Sequence, residues 1–201
     1  MIKFNADGWI EGENTRRLPS PFFDDREGDA PTDLIVMHNI SLPAGAFGTG
    51  FVDKLFLGEL LQTDIPGFES LRDLKVSSHF FIDRQGAITQ FVSTLKRAWH
   101  AGVSEFKGKT RCNDFSIGIE MEGSDFVAFE PRQYESLKKL LVALTQSCPQ
   151  VSFITGHSDI APGRKTDPGP FFDWAFLLSA PELINKLQYT PIQPADNKND
   201  G

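Results

Sequence analysis

The sequence predicts a mixed α/β (α+β) fold, a single domain with a central mixed β-sheet flanked by helices. Three observations predict it. Short apolar, β-branched runs are interleaved along the chain with one long amphipathic helical pattern. One pair of those runs is joined by a turn short enough to force antiparallel pairing, so the sheet cannot be purely parallel. The chain's 201 residues, 40% of them hydrophobic, suffice for one full core, and neither an internal repeat nor a long linker divides them.

Taken in order, the first thirty residues include RRLPSPFFDDREGDAP and are rich in Pro, Arg and Asp, which predicts an irregular arm over the surface. LIVMH, Leu34 to His38, reads as a buried strand that ends on a polar residue. A glycine-rich loop, SLPAGAFGTG, follows, and VDKLFLGELL, Val52 to Leu61, reads as a short helix weakened by Gly58. In SSHFFIDRQGAITQFV, two β-rich runs flank Asp83-Arg84-Gln85-Gly86, which predicts a hairpin. FSIGIEME alternates, with Phe115, Ile117, Ile119 and Met121 on one face and Ser116, Gly118, Glu120 and Glu122 on the other. Pro131 to Cys148 is the strongest helix: Tyr134, Leu137, Leu140, Leu141 and Leu144 recur at three and four residues, and Pro131 suits the first turn. VSFIT, Val151 to Thr155, is a strand that runs into the loop GHSDIAPGRKTDPGP, whose prolines and glycines exclude a helix or long strand. A last helix is expected from about Asp173, interrupted or restarted at Pro181. The domain is expected to span 1–190, with a disordered tail at 191–201.

Composition excludes several functions. A formal net charge of -7 disfavours a nucleic-acid partner. No apolar run approaches the roughly 18 residues of a membrane span. The opening MIKFNADGWIEGEN is polar and acidic too early for a signal peptide, so a cytoplasmic address is expected. Cys112 and Cys148 form no CxxC pair and read as free thiols of a reducing compartment. A monomer is the expected state.

Two of the four histidines share a setting. His38 closes LIVMH and His157 follows FITG, each where a buried strand gives way to a loop bearing glycine and proline. Sites in sheets with flanking helices favour such strand ends. If the two strands are neighbours, both imidazoles reach one point. Hydrolytic zinc takes three protein ligands and leaves one position open. Asp167, further along the proline-shaped loop, can return a carboxylate to complete the set, with Asp159 as its competitor. Each histidine can equally be a hydrogen-bonded structural residue, and Asp167 before Pro168 can simply start a turn. Glu120 and Glu122 are candidates for a general base, or two charges on a solvated face. Lys165 is a candidate oxyanion stabiliser.

The segments GHSDIAPGRKTDPGP, AWHAG (Ala98 to Gly102), RCNDFSIGIEMEG and VMHNISLP together resemble the AmpD family of bacterial 1,6-anhydro-N-acetylmuramyl-L-alanine amidases. Its wider membership includes phage amidase lysozymes and peptidoglycan recognition proteins. The resemblance spans roughly Arg16 to Phe176. It implies a zinc amidase with a central mixed sheet, which hydrolyses the amide between a muramyl lactyl group and L-alanine in soluble muropeptides during cell-wall recycling. It implies His38, His157 and Asp167 as Zn2+ ligands and Glu120 and Lys165 as the catalytic pair. Asn39, Ala98 and Arg111 match substrate-contacting positions, with Lys75 a possible addition, and the GAFGTGF loop is expected to flank the cleft. His79 and His100 are expected in structural or supporting roles and not on the metal. A non-catalytic peptidoglycan-binding module and a metal-stabilised structural protein are the competing readings. A binder has no need of the full set Asp167, Glu120 and Lys165, and a structural zinc site wants a fourth protein ligand, commonly cysteine.

Overall fold

The computed structural model of the chain describes residues 1–27, 31–61, 68–71 and 73–191. The expected disordered tail lies outside the described residues except for Pro191. The main sheet has seven strands: β1 (Thr15–Arg17), β2 (Leu34–Ile40), β3 (Phe80–Ile82), β4 (Ile88–Gln90), β5 (Ser116–Glu122), β6 (Phe153–Gly156) and β7 (Gln188–Tyr189). Their spatial order is β7-β6-β2-β5-β3-β4-β1. β6, β2, β5 and β3 run parallel, and the hairpin β3–β4 supplies the antiparallel pair. The helices are α1 (Phe51–Leu57), α2 (Pro131–Ser147), α3 (His157–Ile160) and α4 (Trp174–Leu178). Among the described residues no helix is long and apolar enough to cross a membrane.

α2 covers one face of the sheet. Leu137, Leu140, Leu141 and Leu144 pack with Ile35, Met37, Ile117, Ile119 and Met121 in one buried cluster. At the start of α2, Gln133 accepts the Glu130 N–H at 3.0 Å and donates to the carbonyls of Ile82 and Glu122 at 3.2 and 3.0 Å. One buried amide thus ties the helix to the ends of β3 and β5, and the helix axis is fixed where the site lies. On the opposite face Leu34 and Val36 pack with Ala101, Phe106, Cys112, Phe115 and Ile160.

Several expectations are corrected. β5 alternates like a half-buried strand, yet all seven of its residues are buried. Its polar face is covered by segments bearing His79 and His100, which is how a central parallel strand comes to be enclosed on both sides. Phe115 leaves the Ile117–Met121 face, because the chain bends at the 3-10 turn Cys112–Asp114 just before the strand. α1 stops at Leu57: Gly58 takes φ 71° and donates its N–H to Leu55 O at 3.1 Å, the left-handed stop that glycine makes cheaply. The arm is more ordered than its composition implies. Lys3–Phe4 pairs with Ile10–Glu11, β1 joins the sheet edge, and Phe23–Asp25 pairs with Lys96–Ala98. Strands of two or three residues are too short to leave a periodic signal. α4 begins where expected, with Asp173 Oδ1 accepting the Phe176 N–H at 2.8 Å, but Pro181 opens a run of turns and not a helix.

Leu140 is fully buried between α2 and the sheet. Leu140→Ala is expected to cost about 2–5 kcal/mol of stability, read from urea unfolding midpoints at constant slope. A loss well under 1 kcal/mol would show that α2 is not the cover of this face.

Candidate active site

The parallel register builds the site. Glu120 on β5 lies directly beside His38 on β2, and Gly156 on β6 lies beside Met37. Partners in a parallel ladder present their side chains to the same face, so Glu120 and His38 share one face, and His157 follows one residue beyond Gly156. The loop that begins at His157 opens with the single helical turn α3, a correction to the expectation of a helix-free loop. It then closes on itself: Ser158 N–H donates to the Asp167 carbonyl at 2.8 Å, which returns Asp167 to the histidine where the loop began.

Three atoms converge as a result. His38 Nδ1, His157 Nδ1 and Asp167 Oδ2 stand 3.0 Å from one another. Glu120 Oε1 lies 4.0 Å from His38 Nδ1, and Glu120 Oε2 is buried with no hydrogen-bond partner. His157 Nε2 faces the Ala101 carbonyl at 3.1 Å. A carbonyl only accepts, so that nitrogen carries a proton, and in the neutral ring that a metal ligand must be, Nδ1 is a bare lone pair. It therefore faces a carboxylate oxygen with no donor between them. Acceptors crowded in this way repel unless a cation sits among them. Four-coordinate zinc at about 2.0–2.1 Å would set its ligand atoms about 3.3 Å apart, so the triangle closes on the size of such an ion. The residues fit a Zn2+ ligand set.

Burial sets the electrostatics. His38 is lowered to about 4, by its removal from water and then by His157, so its imidazole is neutral near pH 7. Burial works to raise Asp167, and the two facing imidazoles of His157 and His38 outweigh that and hold it well below the carboxylate range. Glu120 is raised well above its ordinary value by burial and then by Asp167, with Lys165 opposing.

The structure also separates residues that the sequence could not. Asp159 Oδ2 accepts from Gly156 N–H and Thr155 O–H at 2.8 and 2.9 Å, so it serves the turn at the start of α3 while Asp167 faces the histidines. Glu122 is engaged at both oxygens, by Gly48 N–H at 2.6 Å and Arg84 N–H at 2.9 Å. It pins the glycine-rich loop, whereas Glu120 keeps a free oxygen beside the cradle. A cleft of about 670 Å³ reaches the triad at Asp167, and Asn39, Gly45, Asp125, Phe126 and Lys165 are among its other lining residues. Lys165 is exposed there, and the glycine-rich loop forms one wall.

The substrate-contact candidates fare unevenly. Asn39 lines the cleft, with its amide nitrogen donating to Asp125 Oδ1 at 2.8 Å and Pro168 O at 3.1 Å. Ala98 is 0% exposed, packed with Phe56, Phe81 and Phe91 in a buried cluster, so it presents no surface to the cleft. Arg111 lies outside the cleft, exposed and paired with Asp114 at 3.1 Å and Glu27 at 3.6 Å. Lys75 borders a separate hollow with Phe22 and Leu74. His79 accepts the Gly118 N–H at 3.0 Å and faces the Lys96 carbonyl at 3.0 Å, a structural bridge. Two residues escaped the sequence. Arg164 donates to the carbonyls of Ala101 and Val103 at 2.8 and 2.6 Å and so steadies the acceptor of His157. Arg26, from the arm, donates to the carbonyls of Asn113, Asp114 and Ser116. Contacts with carbonyls have no sequence signature, because every residue supplies one.

Residues 28–170 match the family model for N-acetylmuramoyl-L-alanine amidase, and the chain belongs to this family of amidases. Within it, the chain is similar to AmpD. It is 51% identical over 169 residues to the 1,6-anhydro-N-acetylmuramyl-L-alanine amidase AmpD of Escherichia coli K12, across 84% of this chain and 91% of that one. A crystal structure of a selenomethionine AmpD derivative superposes with a TM-score of 0.81 at 49% identity, covering 85% of this chain and 95% of that one. The amidase AmiD from E. coli, in complex with the substrate anhydro-N-acetylmuramic acid-L-Ala-D-gamma-Glu-L-Lys, shares the fold at a TM-score of 0.53 and 28% identity, over 88% of this chain and 64% of that one.

Asp167→Asn is expected to lower metal content far below that of the unaltered protein after dialysis against a weak chelator, and Asp159→Asn to leave it near one ion per chain, measured by elemental analysis. The reverse ranking would move the carboxylate ligand to Asp159.

Proposed function

We propose that this chain is a zinc-dependent hydrolase of the amide between 1,6-anhydro-N-acetylmuramic acid and L-alanine, acting on soluble muropeptides in cytoplasmic cell-wall recycling. The observation that carries the reading is the convergence of His38 Nδ1, His157 Nδ1 and Asp167 Oδ2 beside a buried glutamate with an unpartnered oxygen. The names of the similar AmpD proteins support the substrate, and two free cysteines suit a reducing compartment.

His38, His157 and Asp167 would hold the ion. When bound, zinc supplies Lewis acidity, which acidifies water and polarises the scissile carbonyl. The protein's own groups move the proton. Glu120 accepts it from water as the water oxygen bonds to the carbonyl carbon. A carboxyl raised by burial is well matched to this task, since it holds a proton more readily than a solvated carboxylate and can still return it. Lys165, whose charge is felt at both His38 and Glu120, opposes the negative charge that develops on the carbonyl oxygen. Glu120 then delivers its proton to the amine nitrogen as the C–N bond breaks, releasing the muramyl acid and the L-alanyl peptide. Asn39 lines the cleft wall and would contact the muropeptide through Oδ1, since its amide nitrogen is engaged by Asp125 and Pro168. Arg111 would first have to leave Asp114 and Glu27 to reach a stem-peptide carboxylate.

Glu120→Gln is expected to retain zinc and lose about 10²–10⁴-fold in turnover, the usual worth of a general acid–base group. Mass spectrometry of an anhydro-muropeptide digest reads it, with the sugar acid and free peptide as products. Near-normal release by Glu120→Gln would place the base elsewhere, and products cut at any other bond would remove the amidase assignment.

A further inference from the structure

One face of β5 carries three small or acidic residues in succession, Ser116, Gly118 and Glu120, and each does something to the metal cradle. Glu120 faces the ligands. Gly118 makes room: a Cβ on it would fall 2.5 Å from Cγ of His100, a distance that real side chains do not reach. Glycine in the interior of a central strand weakens the strand, and here a close packing partner explains it. Ser116 meets the far side of the same imidazole, its Oγ 3.2 Å from His100 Nε2. The near side of that ring reaches a metal ligand, with His100 Nδ1 2.9 Å from His38 Nε2.

The protons in this chain can be assigned from its far end. Ser116 Oγ is 2.6 Å from the Cys112 carbonyl, which has no proton to give, so the hydroxyl donates to it. Ser116 Oγ therefore only accepts from His100, and His100 carries its proton on Nε2. His100 Nδ1 is then a lone pair in the neutral ring. It accepts from His38, so His38 carries its proton on Nε2. That leaves His38 Nδ1 bare, and Nδ1 is the atom 3.0 Å from both His157 Nδ1 and Asp167 Oδ2. The backbone of Ser116 is held as well, since its carbonyl accepts from Arg26 at 2.9 Å. On the other side of the cradle, His157 obtains the same tautomer directly from the Ala101 carbonyl.

We propose that His100, seated on Ser116 in the space left by Gly118, is a positioning residue that fixes His38 in the tautomer and orientation needed to ligate through Nδ1. This rests on the zinc reading above. The relay Cys112 O, Ser116, His100, His38 does for one ligand what a single carbonyl does for the other. Unlike a carbonyl, the imidazole of His100 also packs against the His38 ring. The His38 and His100 rings stand edge to face at 86°, with centroids 5.0 Å apart.

The test measures zinc affinity by chelator competition for the unaltered protein, His100→Leu, His100→Asn and Ser116→Ala. Long-range 1H–15N correlation spectra of the metal-free proteins report the tautomer of His38. The unaltered protein is expected to show His38 protonated on Nε2. His100→Leu is expected to bind zinc about 10–100-fold more weakly, the usual effect of removing a ligand's hydrogen-bond partner, and to show His38 as a mixture of tautomers. His100→Asn keeps an acceptor, Oδ1, at the position of the ring Nδ1 and is expected to recover much of the affinity. A purely space-filling role would rank Leu above Asn. If His100→Leu does not fold, Ser116→Ala decides, with a weaker affinity and a partly shifted His38 tautomer expected. The proposal is overturned if zinc affinity and the His38 tautomer are unchanged in His100→Leu, or in Ser116→Ala where the former is unfolded, or if the unaltered His38 is protonated on Nδ1. An unaltered protein that binds no zinc at all would instead defeat the functional reading on which the relay rests.

Discussion

The constraint on which the rest of the molecule depends is the parallel register of three neighbouring strands. β6, β2 and β5 end on the same side of the sheet, and their alignment sets Glu120 beside His38 and Gly156 beside Met37. A slip of one residue in either pairing would turn a site residue to the α2 face, into an apolar cluster where a charge has no partner. The register is in turn held from below by α2, through the leucines on Ile117 and Ile119 and through the Gln133 amide on the strand ends. Core packing and site geometry are therefore one arrangement: the hydrophobic face fixes the register, and the register gathers the polar residues.

Once gathered, those residues are largely withdrawn from solvent. Glu120 is 8% exposed and His38 1%. In such surroundings each proton must have a defined place, because an unmatched donor or acceptor is costly. His157 settles its proton on the Ala101 carbonyl, an acceptor also held by Arg164. The remaining acceptors, two imidazole nitrogens and a carboxylate oxygen, face one another without a donor, and Glu120 stands next to them with an oxygen unpartnered. Stability alone does not favour such an arrangement. It fits the proposed cation, which would sit among these acceptors with its reacting water beside Glu120.

Much of the fold was legible in the sequence where periodicity was long enough to read. Leu34 to His38, the hairpin about Asp83 to Gly86, the strand from Ser116 and the helix from Pro131 all declare themselves by the spacing of apolar residues. The site was legible as far as residue type goes: His38 and His157 each sit where a strand passes into a glycine- and proline-bearing loop. What could not be read was contact between distant segments. Asp159 and Asp167 were separated only by the return of the loop through Ser158 N–H to Asp167 O. Glu120 and Glu122 were separated only by the discovery that Gly48 and Arg84 occupy the latter. The pairing of Ala98 with Phe23, and the reach of Arg26 to backbone carbonyls behind β5, belong to the arm, whose two- and three-residue strands leave no pattern.

The most direct measurement is anomalous diffraction at the zinc absorption edge from crystals of the full chain. One peak is expected, within bonding distance of His38 Nδ1, His157 Nδ1 and Asp167 Oδ2, with Glu120 beside it and outside the coordination sphere. A peak bonded through the Nε2 atoms or through Asp159, or crystals grown with zinc that show no peak between these three side chains, would contradict it.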